Sequence, residues 1–167
     1  LKRRVPAEPA LAEDPMVQAA LAGDFAKLLQ GEHLDGLLHV LALTHAGMTV
    51  DEFRDAVAAW LTSARHPRYG RPYDELTYTP MQELLRYLGA NGFKNFIVSG
   101  GGADFMRVWV ERVYGIPPEQ VVGSTARTTF KLCDSGPVLI KTLGHLFVND
   151  NEGKPVAIHQ FIGRRPT

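Results

Sequence analysis

This sequence predicts an α/β fold with a parallel sheet, preceded by a small block of helices. Three observations carry that prediction. The stretch 94–110, KNFIVSGGGADFMRVWV, runs from unbroken Phe96, Ile97 and Val98 through Ser99 and three glycines into a helical period. Unbroken apolar residues of this kind suit a short strand buried on both faces. The second half then alternates helix, strand, glycine loop, helix and strand, which is the order of a parallel α/β unit. The first third, by contrast, has helix caps and apolar stripes but no strand signal.

The elements follow in order. Asp14 before Pro15 is an N-cap with proline at the first helical position, and Asp24 after Gly23 caps a second short helix, together spanning 15–30. A helix over 34–46 stops at Gly47, and Thr49-Val50-Asp51-Glu52 is a capping box for one over 50–63, with Phe53, Val57, Trp60 and Leu61 inward. Residues 65–80, RHPRYGRPYDELTYTP, read as a linker rich in proline, tyrosine and arginine. Thr79 then caps a helix over 80–90 with Met81, Leu84, Leu85 and Leu88 inward and Gly92 as its stop. Strands are expected at 94–98 and 121–124 as parallel neighbours, with a helix over 103–114 between them carrying Phe105, Val108, Trp109 and Val113 on one stripe. A hairpin over 127–133 and 137–141 turns at Asp134-Ser135-Gly136, and a last helix covers 154–162.

The totals narrow the function classes. Eighteen basic residues balance eighteen acidic ones, so no net field draws nucleic acid or an anionic membrane. No apolar run approaches the roughly 20 residues that span a bilayer. No signal peptide is visible, which makes the cytoplasm the expected compartment, or the periplasm if a signal precedes Leu1. Cys133 is single, so an internal disulfide is excluded.

The glycine loop admits several readings. A nucleophile elbow needs glycine where Ile97 stands, and a dinucleotide fingerprint needs one where Phe105 stands. A P-loop needs Gly-Lys-Ser/Thr, but Ala103-Asp104 follows Gly102. The remaining two are an anion site, where amides and a helix dipole converge, and a tight turn with no ligand.

A helix ending in glycine, then FKNFIVSGGGADFMRVWVERVYGIPPEQVVGS, then a hairpin closing on a lysine, resembles the haloacid dehalogenase-like hydrolase superfamily, and within it the phosphoserine-phosphatase-like branch. The resemblance implies a Rossmann-like three-layer core with a parallel sheet plus a small α-helical cap. It implies a helical cap over 1–70 and a partial phosphatase core over 71–167. It also implies phosphomonoester hydrolysis through an aspartyl-phosphate with magnesium, acting on a small phosphorylated metabolite. In that reading Ser99, Gly100 and Gly101 bind the phosphoryl group, Lys141 neutralises its charge, and Arg68, Arg71 and Tyr73 line the substrate entrance.

Two parts of the family pattern are not in these residues. No two aspartates stand two apart, and no acidic pair follows Arg164-Arg165-Pro166. The resemblance therefore implies that the chain is the family's middle portion, with nucleophile and metal ligands outside it and no metal site within it. The 167 residues alone are then expected to be inactive. Association through a sheet edge left open beside the Ser99 strand is also expected. The alternative is a non-catalytic module that keeps a phosphate-binding loop. Asp104 reads as a first-turn carboxylate, and Asp150 as a turn residue among Asn149, Asn151 and Gly153.

Overall fold

The computed structural model describes residue 1 and residues 4–30, 35–134, 136–144 and 146–167. It is a mixed α/β structure that divides into two compact units: Leu1–Thr49 with Ala126–Leu146, and Val50–Thr125 with Phe147–Thr167. No described helix is long and apolar enough to cross a membrane.

The first unit holds α1 (Pro9–Glu13), α2 (Pro15–Ala22), α3 (Phe25–Leu28) and α4 (Asp35–His45). The caps read from the sequence form: the Asp14 carboxylate accepts from the amides of Met16 and Val17 at 2.8 and 3.0 Å, and Asp24 accepts from Lys27 at 3.1 Å. Between them Gly23 leaves the helix at φ +75°, a backbone region that L side chains rarely adopt. Val17, Ala19, Leu28 and Val40 form the buried cluster. Arg4 donates to the carbonyls of Leu43, Thr44 and Ala46 at 3.2, 2.6 and 3.2 Å. Those carbonyls lie at the C-terminal end of α4, where a cation is favoured. α1 was not expected; it is a short helix without a side-chain cap bond. Residue 34, expected as the start of α4, lies outside the described residues.

The hairpin also belongs to this unit. Strands β3 (Thr128–Cys133) and β4 (Gly136–Lys141) pair antiparallel from Thr128↔Lys141 to Cys133↔Gly136, as expected. The expected turn includes Ser135, which lies outside the described residues.

The second unit holds α5 (Val50–Ser63), α6 (Thr79–Ala90), β1 (Ile97–Gly102), α7 (Ala103–Met106), α8 (Val110–Tyr114), β2 (Val121–Ser124) and α9 (Gly153–Ala157), followed by a π-helical turn at Ile158–Ile162. β1 and β2 are parallel neighbours, Ile97 opposite Val121 and Val98 opposite Val122, as the alternation predicts. Met106, Val110, Ile116 and Val121 form the core beside them.

Five expectations here are corrected. β1 begins at Ile97 and runs through the glycines, and it is only half-buried, whereas β2 is buried throughout. The helix expected over 103–114 breaks at Arg107, Val108 and Trp109, so the inward positions become Ala103, Met106 and Val110 instead of the Phe105 stripe. Tyr78 is the N-cap of α6, with Thr79 already inside the helix and no side-chain cap bond. Met81 and Leu84 are exposed, and only Leu85 and Leu88 of that stripe are half-buried. Trp60 is also exposed, because it leaves the core to stack on Tyr73.

The linker is ordered. The His66 amide donates to the Arg71 carbonyl at 2.9 Å and the Gly70 amide to the His66 carbonyl at 2.8 Å, closing a tight loop with Gly70 at φ +65°.

Candidate functional site

Three short segments of the second unit share one pattern: apolar residues running into a small polar one. They are Ile97-Val98-Ser99, Val121-Val122-Gly123-Ser124 and Phe147-Val148-Asn149. The fold brings the three polar residues together at the carboxyl ends of β1 and β2. In open α/β sheets, ligands bind at that end.

The register shows what happens there. Val98 pairs with Val122 and Gly102 with Ser124, so residues 99–101 of β1 stand opposite Gly123 alone. This is a bulge, the device that re-aims backbone groups beside functional sites. Gly123 makes the bulge possible. A Cβ on it would lie 2.6 Å from the Gly101 carbonyl oxygen and 2.9 Å from the Ala103 nitrogen, so backbone occupies the space a side chain needs.

Hydrogen bonds fix the bulge from beneath. Asn149, fully buried, donates from Nδ2 to the Ser99 carbonyl at 2.9 Å and to the Val122 carbonyl at 3.3 Å. Its own amide donates to Ser124 Oγ at 3.0 Å, and that hydroxyl donates to the Gly100 carbonyl at 2.7 Å. Within the bulge the Gly101 amide donates to Ser99 Oγ at 3.0 Å. The Ser99 oxygen is thus an acceptor already in use, which directs its proton elsewhere. Gly101 spends its amide on Ser99 Oγ, which leaves the Ser99 hydroxyl and the Gly100 amide as the candidate donors of the bulge.

Charge arrives from the next segment. Asp150 abuts Gly100, where a Cβ would lie 3.4 Å from the Asp150 carboxylate, and Lys154 Nζ is 3.5 Å from Asp150 Oδ1. α9, which carries Lys154, packs against β1. The turn that sets this spacing has the Gly153 amide donating to the Asp150 carbonyl at 2.7 Å, with Asn151 at φ +44°. The sequence marked this turn correctly for Asp150. It hid Asn149, which reads as a turn residue and is instead a core one. The apolar run Phe147-Val148 before it, matching the runs before Ser99 and Ser124, is the signal that finds it.

The other expected residues lie as follows. Lys141 belongs to the first unit and is 4% exposed; its amide donates to the Met48 carbonyl and its carbonyl accepts from Gly47, both at 2.8 Å. Arg68, Arg71 and Tyr73 sit on the ordered loop of the second unit. The Arg68 guanidinium stands 5.3 Å from the Tyr69 ring centre, and Arg71 Nε is 3.4 Å from Glu75. Tyr73 stacks on Trp60 at 5.0 Å, and Trp60 meets Phe105 of α7 at 5.9 Å, so the loop is joined by rings to the helix that follows the bulge. Asp104 in that helix is 3.5 Å from the Arg107 guanidinium. The helix dipole expected at Ala103 has little to draw on, since α7 is four residues long. Magnesium, implied by the family resemblance, finds no fit: among the described residues no three His, Cys, Asp or Glu side chains converge to hold a metal.

No family model matches the chain, and no curated protein does. Among solved structures the chain is similar to the crystal structure of a phosphoserine phosphohydrolase-like protein from Francisella tularensis subsp. tularensis SCHU S4, at 17% identity and a TM-score of 0.45. That match covers 100% of this chain and 65% of the solved one, so the chain spans less than two thirds of the solved protein's length.

Proposed function

We propose that these residues cradle the phosphoryl group of a small phosphorylated metabolite, within a phosphomonoester hydrolase of the haloacid dehalogenase-like type. One observation carries the reading. The bulge at residues 99–101 is pinned by Asn149, so that Ser99 and Gly100, whose hydroxyl and amide are the proposed donors, are fixed beside Asp150, with Lys154 reached through it. Phosphoryl transfer asks for this combination of fixed donors and positive charge, because its transition state spreads charge over the non-bridging oxygens. In the proposed arrangement β1 and β2 belong to a Rossmann-like core that goes with a small helical cap. Arg68, Arg71 and Tyr73 line the entrance, a placement supported by the Tyr73–Trp60–Phe105 ring contacts that join their loop to α7.

Lys154 replaces Lys141 as the charge-neutralising residue in this reading, because its contact to the bulge through Asp150 is made within one compact unit. The nucleophilic aspartate and the magnesium of the proposed reaction lie outside these 167 residues. On their own the residues are expected to bind inorganic phosphate weakly and to leave phosphomonoesters intact. A second reading, a non-catalytic phosphate-binding module, is favoured by the same geometry, since the cradle is built wholly from one unit.

Titration calorimetry with phosphate, beside a chromogenic phosphomonoester assay, tests the proposal. Binding that Ser99→Ala weakens supports it. Turnover by the 167 residues that survives Ser99→Ala would place the active site elsewhere.

A further inference from the structure

We infer that Asn149 is a positioning residue that fixes the peptide planes on either side of Gly100, and through the Gly100 amide and the Ser99 hydroxyl that the Gly101 amide engages, the affinity of the cradle for an oxyanion. The affinity half of this inference rests on the phosphate reading; the positioning half stands without it.

A trans peptide places its carbonyl and its amide hydrogen on opposite sides. The Ser99 carbonyl shares a plane with the Gly100 amide, and the Gly100 carbonyl shares one with the Gly101 amide. Asn149 Nδ2 holds the first carbonyl at 2.9 Å. Ser124 Oγ holds the second at 2.7 Å, while itself accepting from the Asn149 amide at 3.0 Å. Asn149 therefore fixes one plane directly and the other through Ser124, and its bond to the Val122 carbonyl at 3.3 Å ties both to β2. Glycine planes need this. Without a Cβ, a run of three glycines rotates at little cost, and an unheld amide turns away from a ligand as readily as toward it.

Burial makes the same point from the other side. Asn149 is fully buried and its Oδ1 has no hydrogen-bond partner among the described residues. A buried acceptor without a partner is unfavourable, and packing alone gives no reason to place an amide there. The two bonds that Nδ2 donates are the reason.

Two variants test this. Asn149→Asp keeps the volume and removes both donations; Ser124→Ala removes the second plane's support with a smaller change. Amide hydrogen exchange without ligand is read at Gly100 and Gly101 against Val121 and Val122, and phosphate titration gives the affinity. The inference expects exchange to rise by about tenfold or more at Gly100 in Asn149→Asp and at Gly101 in Ser124→Ala, with Val121 and Val122 little changed. It expects phosphate affinity to fall by about tenfold, the equivalent of roughly 1.4 kcal/mol. Unchanged exchange at the glycines in both variants would overturn it. So would equal loss of protection at Val121 and Val122, which marks a residue that merely packs. If wild-type protein binds no phosphate while the glycine exchange still responds, the phosphate reading fails and the positioning role stands.

Discussion

The β3–β4 hairpin keeps its register from Thr128↔Lys141 to Cys133↔Gly136 without interruption, whereas β1 and β2 lose theirs over residues 99–101 and regain it at Gly102↔Ser124. The hairpin leaves Phe130 and Leu132 exposed at 64% and 73%, and its pairing is local in sequence. The broken pair does the reverse: β2 is buried along its length, and polar Ser124 and Asn149 are buried with it. Burying polar groups is unfavourable unless each finds a partner, so a fold keeps such a cluster where it organises something. Regular pairing here goes with an exposed, local hairpin, and the irregular pair with the buried polar cluster of the candidate site.

The largest effect that breaks or sharpens this contrast concerns the two lysines. Lys141 ends the regular hairpin, 4% exposed, and Lys154 stands by the bulge with its side chain 42% exposed. In a form of the protein that hydrolyses a phosphomonoester, Lys154→Ala is expected to lower kcat by about 10²–10³-fold, as loss of one transition-state partner does, with an unchanged melting temperature. Lys141→Ala is expected to lower the melting temperature, since its buried stem loses packing. Steady-state kinetics with thermal melts decide between them. The opposite assignment, turnover lost through Lys141 with stability intact, would return the catalytic role to the hairpin.

A smaller effect compares one residue from each pair. Gly123→Ala forces a Cβ against the Gly101 carbonyl and the Met106 side chain, at 2.6 and 2.8 Å, with backbone on one side. Overpacking of this kind is destabilising by about 1–3 kcal/mol. Phe130→Ala, on the exposed hairpin face, is expected to stay within about 0.5 kcal/mol. Denaturant unfolding measures both. Equal losses would mean that the hairpin face is covered in the working protein.

Much of the fold was legible because its signals are local. Asp14 and Asp24 announced two caps, Gly92 a helix stop, and the apolar runs at 96–98 and 121–122 a parallel pair. The errors share a different cause. Met81, Leu84 and Trp60 follow a helical period that says which face is apolar but not whether anything covers it. The break at residues 107–109 escaped because Val108 and Trp109 continue a plausible stripe while the backbone does not. Of the site, Ser99 and Gly100 could be read from a strand running into glycines. Asn149 was marked only by the apolar run Phe147-Val148 before it, and its role was not, because the clamp joins residues 50 positions apart in the chain through a carbonyl, and carbonyls leave no mark on sequence.

The smallest expected effect lies in the unit that holds the hairpin and depends on pH. His45 closes α4, and burial first, then the Lys141 and Arg4 cations, hold its imidazole below the ordinary value of 6.5. Above that value both folded and unfolded chains carry a neutral ring, and its contribution to stability is complete. As the pH falls below 6.5 the unfolded chain takes up the proton first, so the folded state loses stability. The loss ends once the pH has passed the depressed folded value and both states are charged. Melting temperatures from about pH 7.5 down to about pH 5.5 bracket the ordinary titration of a histidine, and the wild-type curve should decline across that window. His45→Gln removes the titration and should flatten that part of the decline. An Asn149→Asp or Ser124→Ala background should leave the His45 slope in place, since those residues belong to the other unit. A slope that persists unchanged in His45→Gln would assign the pH response to another group.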